Sequence, residues 1–499
     1  MRRGLALSVS ASLLKDSDMA STKTALPVKI RQVSIPTKAA YGAGQGLISV
    51  KNMLFHFFFL FYFSNVLGVS EGLVFIATMI ALFVDAFSDP IMGQISDNYR
   101  NEKWGRRHKF MLWGIIPTAI ALVLLFAPPT SLSANGLFLW MLFFLLVVRI
   151  GLTIYGVPYY SLGAELSTNY NERTNIVSVR ELFNNTFNIF VFLIGFIIFL
   201  PDSPAFEDGM MNQAGYAPFV LTMTIIGVIG SLIAVFGTRH KVTDIRRYKG
   251  DDRNHWRETF RELKKAANIR PFIWLSGGYS LILILYGAGS SLSLYMGVYL
   301  WQLSQGAKTI VTLAPFLLLI PAVILASVLA AKMDKKPATL LFGAIYLLCN
   351  LIPFAAYLMG WLPPIGDSRL MWIIAAFNGL GFLGLTGVLV ISNSMLADVA
   401  DMMELRTGKR QEGLLYAAFS FAQKLTFAVG LAVASLTLMV LSFPKQLEPS
   451  QVAQDTIDGL ATASLLTALI FGLASLFCFS RYQMTREEHT EIQRKLDIL

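Results

Sequence analysis

Residues 239–271 read RHKVTDIRRYKGDDRNHWRETFRELKKAANIRP, and the reading of the fold turns on this stretch. It holds eleven Lys and Arg, among them Arg246, Arg247, Arg261, Lys264 and Lys265. Apolar runs lie on both sides of it. A helix needs about 20 mainly apolar residues to span a bilayer. By that ruler six spans precede the segment, near 41–65, 72–96, 109–128, 136–160, 176–200 and 216–238. Six more follow it, near 272–300, 309–331, 338–360, 370–396, 413–443 and 459–480. Every other connection is short. The expected fold is therefore all-α and membrane-embedded, with twelve transmembrane helices in two six-helix bundles joined by a linker.

Composition agrees. The chain of 499 residues is 55% hydrophobic and only 14% charged, against roughly 25% charged in a soluble domain. Its mean hydropathy is +0.58. The formal charge of +10 raises nucleic-acid binding as an option, and the location of the basic residues removes it. With the N-terminus inside, cytosolic segments hold 34 of the 41 Lys and Arg. The external loops hold Lys308, Arg369 and Lys445, and four more basic residues lie within spans. That bias places both termini in the cytoplasm. The external loop 201–215 carries Asp202, Glu207 and Asp208 with no basic residue.

The expected organisation is a cytosolic tail over 1–36, a bundle over 37–238, the linker 239–271, a bundle over 272–481 and a tail over 482–499. Arg2 and Arg3 precede a short apolar run that Lys15 soon interrupts. This start reads as a cytosolic tail or an early start codon, not a cleaved signal. Two cysteines, Cys349 and Cys478, both in apolar stretches, exclude a disulfide scaffold and a Cys-based metal site. Five histidines without HExxH spacing argue against a zinc enzyme, and no GxxxxGK[ST] loop suggests an ATP-driven pump. No nucleophile–base set is legible, so an enzyme is not expected. A receptor would need a folded signalling domain, for which the central segment is too short.

Charge at bilayer depth costs at least ~2.5–3.5 kcal/mol and so tends to face a cavity. Six residues stand out: Lys51, Asp85, Asp89, Arg149, Arg180 and Lys424. In the first span Tyr41, Gln45, Ser49, Asn52 and His56 fall within about 80° of one another on an ideal helix. This stripe suits either cavity lining or helix–helix hydrogen bonding; Lys51 points elsewhere. In the second span Asp85, Ser88 and Asp89 stand at i, i+3, i+4. Two carboxylates so close raise each other's pKa unless a cation or a shared proton intervenes. The pair reads as a site for Na⁺ or H⁺, or as a structural partner for a base such as Lys424. Arg149, Thr153, Gly156 and Tyr160 share a stripe of the fourth span. Arg149 fits an anionic substrate and a permanent salt bridge equally. The fifth span has Arg180, Asn184 and Asn188 at i, i+4, i+8, with Arg180 close enough to the cytosolic end to snorkel. The seventh has Tyr279, Tyr286, Ser290 and Ser293 on one face, and the eleventh has Tyr416, Ser420 and Lys424. Rings stack on the apolar faces of pyranoses while amides and charges bind hydroxyls, so these stripes suit a sugar.

The loop after the second span runs from Gly93 through Asp97, Arg100, Gly105 and Arg106 to Arg107. The glycine is expected to allow close helix approach, and Asp97 to pair with an arginine of the loop. An abbreviated echo, Lys332, Asp334, Lys335 and Lys336, follows span eight. Basic runs at equivalent places favour a repeat.

These motifs resemble the major facilitator superfamily. More specifically, the chain is similar to its glycoside–pentoside–hexuronide:cation symporters, whose best-known member is melibiose permease. The resemblance covers residues 37–485. It rests on Asp85 to Gly93, Val157 to Leu162, Glu172-Arg173, and Ala397 through Asp401 and Gly413 to Lys424. It implies a cation site at Asp85, Asp89, Ser88 and Thr153, with Lys424 beside it. It also implies sugar contacts at Arg180 and Tyr160. The two sugar-binding carboxylates of melibiose permease align with Ser49 and Gly156. Fewer acids, together with Lys51 and Arg149, shift the expected cargo to an anionic uronide or oligouronide.

The expected protein is thus a monomeric inner-membrane secondary transporter working by alternating access, coupled to Na⁺ or H⁺ and without a cofactor or nucleic-acid partner. Its substrate set is Tyr41, Gln45, Ser49, Asn52, His56, Arg149, Tyr160, Arg180, Asn184, Tyr286 and Lys424. A neutral glycoside or a lysophospholipid-type solute are the alternatives; the polar stripe of the first span argues against the lipid.

Overall fold

The computed structural model describes residues 33–99, 101, 103–167, 170–241, 269–407 and 412–496. The tail to residue 32, most of the linker and Arg100 lie outside the described residues. Among the described residues the chain is helical, and the single β-bridge is Ser203 to Phe206.

The first segment is α1 (Ile35–Ala43), then α2 (Gly46–Met53), then π-turns at Leu54–Phe58 and Phe61–Val66. Next come α3 (Glu71–Asn98), α4 (His108–Leu125), α5 (Ala134–Glu165), α6 (Tyr170–Leu193, with a π-turn at Ile194–Phe199) and α7 (Gln213–Thr238). The second half opens with α8 (Arg270–Tyr295), α9 (Gln305–Leu317) and α10 (Leu319–Met333). It continues with α11 (Lys335–Leu358), α12 (Ser368–Thr407), α13 (Glu412–Val440), α14 (Gln454–Ser480) and α15 (Arg486–Lys495). Among the described residues, ten helical stretches are long and apolar enough to cross a membrane. The segment 35–66 is not among them; it is divided into α1, α2 and two π-turns. In α13 only Ala428–Val440 registers, as a shorter apolar helix.

The two halves pack by one plan. In the first, α1 and α2 lie against α6 and α7, α3 against α5, and α4 against α5 and α7. In the second, α8 lies against α13 and α14, α9 and α10 against α12, and α11 against α12 and α14. The contacts between halves keep the same twofold logic: α3 meets α13, α6 meets α9, and the π-turn of the first segment meets α8. Such pairing is what an internal repeat produces.

Each helix divides its surface between lipid and protein. On α3, Phe83, Phe87, Ile91 and Ile95 recur every four residues and are exposed, as a lipid-facing stripe requires. Asp85 and Asp89 of the same helix line an internal cavity. The α4–α5 crossing is close because both helices place glycine there. A Cβ on Gly114 would sit 2.6 Å from the Tyr155 backbone nitrogen, and one on Gly151 would sit 2.4 Å from the Thr118 hydroxyl. Small residues that let backbones approach are a main source of association where no hydrophobic drive operates.

At one end the halves are sealed by polar contacts. Asn65 donates to the Tyr299 hydroxyl (2.7 Å), and the Gln446 amide donates to the Asn65 carbonyl (3.0 Å). Lys445 pairs with Glu71 at 3.3 Å. Ser450 donates to Glu207 from its hydroxyl (2.5 Å) and its amide (3.1 Å). Lys308, expected in a loop, instead lies within α9, buried and paired with Asp208. The Gln305 side chain donates to Asp208 (2.8 Å) and its amide to Asp202 (3.0 Å).

Gly114→Val forces two backbones apart at the α4–α5 crossing, an overpacking that costs about 1–3 kcal/mol. The expected result is a lower melting temperature of the detergent-solubilised protein; an unchanged one would show that the crossing can widen freely.

Candidate functional site

A cavity of about 730 Å³ lies between the halves, lined by residues of both. Its first-half wall includes Lys51, Asn52, His56, Asp85, Asp89, Arg149, Thr153, Gly156, Tyr160 and Asn184. The facing wall includes Tyr286, Ser290, Ser293, Asn350, Asn378 and Gln423.

The two aspartates have different partners. Arg149 donates to Asp85 at 2.7 Å, each side chain being 18% exposed. Asp89 accepts from the Thr153 hydroxyl at 2.7 Å, and Ser88 lies 3.3 Å from the same hydroxyl. The i, i+4 spacing puts both carboxylates on one face of α3, while α5 sends Arg149 and Thr153, also i, i+4, to meet them. The set offers carboxylate and hydroxyl oxygens to a hard cation. Among the described residues no cluster of three or more His, Cys, Asp or Glu forms a metal centre. The Arg149 guanidinium also stands 5.5 Å from the Phe55 ring centroid, and Lys51 stands 5.4 Å from it. Lys51 donates to the Asn52 side chain at 2.9 Å.

The stripe of the first segment divides. Asn52 and His56 reach the cavity, but Tyr41, Gln45 and Ser49 do not. Tyr41 is 1% exposed and stacks on Tyr159, with ring centroids 4.8 Å apart. Each of these tyrosines donates to the other's backbone carbonyl, at 3.4 and 2.9 Å. Gln45 is buried, and Ser49 donates to Asn184 at 2.7 Å. Both the helix and its neighbours cause this. The helix breaks between Ala43 and Gly46, which turns Tyr41 away from the later positions, while Ser49 and Asn52 share one unbroken helix and are divided by their neighbours, Asn184 covering Ser49.

Tyr160 lines the cavity with 45% of its surface exposed. Arg180 stacks over its ring at 5.1 Å and pairs with Glu181 at 2.6 Å, without lining the cavity itself. Lys424 is on α13, and its side chain lies outside the described residues. Asn188 belongs to the expected stripe of the fifth span, whereas Asn185, Asn350 and Asn378 lie outside every expected stripe. Asn185, Asn188, Asn350 and Asn378 also line the cavity, and Asn188 is buried with a carbonyl oxygen lacking a partner among the described atoms. Their signal was present, as isolated amides in apolar spans.

At the opposite end from the seal, the Asp97 carboxylate pairs with Arg107, not with Arg106. Both arginines converge on Glu165 at the end of α5, at 2.8 Å from Arg106 and 2.9 Å from Arg107. Gly105 has a φ of +63°, which suits glycine and lets the chain turn into α4. Gly93 does not serve close approach: an added Cβ would meet only Val157 at 3.9 Å. The second half repeats the clasp in other residues. Lys335 pairs with Asp398 of α12 at 2.6 Å, and His489 of α15 lies 3.0 Å from Asp401. Glu165 and Asp398 were missed because each stands some 60 residues from its base, which spacing along a chain cannot reveal.

Two repeated helical halves around a central cavity with polar groups on both walls define a membrane transporter of the major facilitator type. The chain belongs to the MFS/sugar transport protein family, whose model matches residues 40–486. It is similar to an uncharacterized symporter of Synechocystis (26% identity, covering 92% of this chain and 96% of that one). It is also similar to the isoprimeverose transporter of Lactiplantibacillus pentosus (25%, covering 86% of each). A third relative is the glucuronide carrier protein homolog of Escherichia coli (24%, covering 94% and 96%). It is therefore a multi-pass inner-membrane transporter of the symporter type, not an enzyme.

Arg149→Ala should impair the protein by leaving Asp85 unpaired, at less than the about 3–5 kcal/mol of a fully buried pair because both groups keep some exposure. Adding Asp85→Asn should recover part of that loss in thermal stability. If the two losses simply add, the ion pair contributes nothing.

Proposed function

We propose that the protein carries a sugar across the inner membrane together with Na⁺ or H⁺, and that the sugar is an anionic uronide or oligouronide. Twelve spans, both ends cytoplasmic and a monomeric unit complete this reading. The observation that carries it is the joint placement of Asp85, Asp89 and Thr153 with amide and aromatic groups on one cavity wall. A relative named for glucuronide and another named for isoprimeverose support a sugar as cargo.

The Asp85–Arg149 pair supplies a physical route to coupling. A cation arriving beside Asp89 and Asp85 competes with Arg149 for the Asp85 carboxylate. The guanidinium so released faces the cavity, where a sugar carboxylate can take it in a bidentate contact. Lys51 adds a second positive charge on the same wall. Cation and substrate then raise each other's affinity by the same factor, as linkage demands. A neutral glycoside would use the amides and Tyr160 alone and leave Arg149 on Asp85.

Uptake into proteoliposomes tests both parts. Under an imposed Na⁺ or H⁺ gradient, methyl β-D-glucuronide should accumulate and methyl β-D-galactoside should not. Uptake of the galactoside with no response to the uronide would overturn the anionic assignment. Asp89→Asn should abolish accumulation against a gradient; a variant that still concentrates sugar removes Asp89 from the coupling step.

A further inference from the structure

The acidic loop 201–212 and the start of α9 meet at the sealed end, and the cation between them also reaches the substrate cavity. Lys308 is 3% exposed, and its ammonium pairs with Asp208, itself 4% exposed. Asp208 is held in place by its own chain, since the Met210 amide donates to it at 2.9 Å. Gln305, one turn before Lys308, donates to the same carboxylate at 2.8 Å. The Lys308 stem passes Gly297, where an added Cβ would lie 3.5 Å from it, and both residues line the cavity. Asp208 belongs to the first half and Lys308 to the second. Alternating access requires the halves to part at this end, and parting separates the two groups.

A buried ammonium without its counter-ion is strongly unfavourable. Opening is therefore easiest when another anion replaces Asp208, and the cavity is where such an anion arrives. We propose that Lys308 exchanges partners during the cycle: it holds Asp208 while this end is closed and the substrate's carboxylate while it is open. Lys308 is then a specificity-determining residue as well as half of a latch, because a neutral sugar offers nothing to replace Asp208. This inference rests on the anionic-sugar reading above and adds the residue that enforces it.

The test measures zero-trans entry into proteoliposomes from the sealed-end side, with methyl β-D-glucuronide and its neutral counterpart methyl β-D-glucoside as probes. Lys308→Gln should raise the KM for the uronide about tenfold or more, the loss of a charged contact, while the low entry of the glucoside should hold or rise, since opening no longer strands an ammonium. Lys308→Arg should restore most of the discrimination. Asp208→Asn removes the competing carboxylate and should lower the KM for the uronide. Equal losses on both probes in Lys308→Gln would make Lys308 a latch only and overturn the proposal, as would no change on either. If Lys308→Gln does not fold, Asp208→Asn decides alone: an unaltered uronide KM overturns it. A wild-type protein that transports the glucoside alone, or neither probe, refutes the anionic-sugar reading itself before any variant is made.

Discussion

A charge in the interior of a membrane protein needs a partner, and the structure is arranged around that need. Arg149 sits on Asp85, Lys308 on Asp208, Lys445 on Glu71 and Lys335 on Asp398. None of these pairs joins neighbours in sequence. Each ties together segments that packing has brought side by side, so each reports on the arrangement of helices as a whole. At the more deeply set pairs of Arg149 and Lys308, removing one member leaves the other poorly solvated.

The placement of these pairs follows the twofold plan of the fold. At the end bearing loops 99–107 and 334, the described clasps join a base in the second-to-third connection to an acid on the fourth helix of the same half. At the other end Lys308–Asp208 and Lys445–Glu71 cross between halves. Bonds within a half keep each bundle rigid, and bonds between halves select one of the arrangements two rigid bodies can take. A transporter needs both kinds, with the second kind weak enough, or exchangeable enough, to be broken in every cycle.

The cavity wall repeats the theme at smaller scale. Asp89 accepts from the Thr153 hydroxyl and Asp85 from the Arg149 guanidinium, although they stand one turn apart on α3. The two like charges are therefore not equivalent. Asp85 is held by a base that a cation must displace, and Asp89 meets a hydroxyl that a cation can share. Coupling between ion and substrate needs a contact that changes between states, which the displaceable Arg149–Asp85 pair can supply, since a ligand with equal affinity for every state shifts nothing.

Much of this was legible in the sequence, because hydrocarbon imposes a simple code. Apolar length located the helices, the basic run 239–271 divided the halves, and the i, i+4 spacing put Asp85 with Asp89 on one face. What it could not supply was any relation between helices. The projection from Tyr41 to His56 did not show that Tyr159 covers Tyr41 and Asn184 covers Ser49, so Tyr41, Gln45 and Ser49 pack inside the bundle while Asn52 and His56 meet the cavity. Lys308 read as an external loop residue and proved to be buried, since its partner lies 100 residues earlier on the other half. Local periodicity is a property of one helix, and the sequence determined it. Which face meets cavity, lipid or neighbour, and which base finds which acid, depends on packing between segments far apart in the chain, and only the tertiary structure decided it.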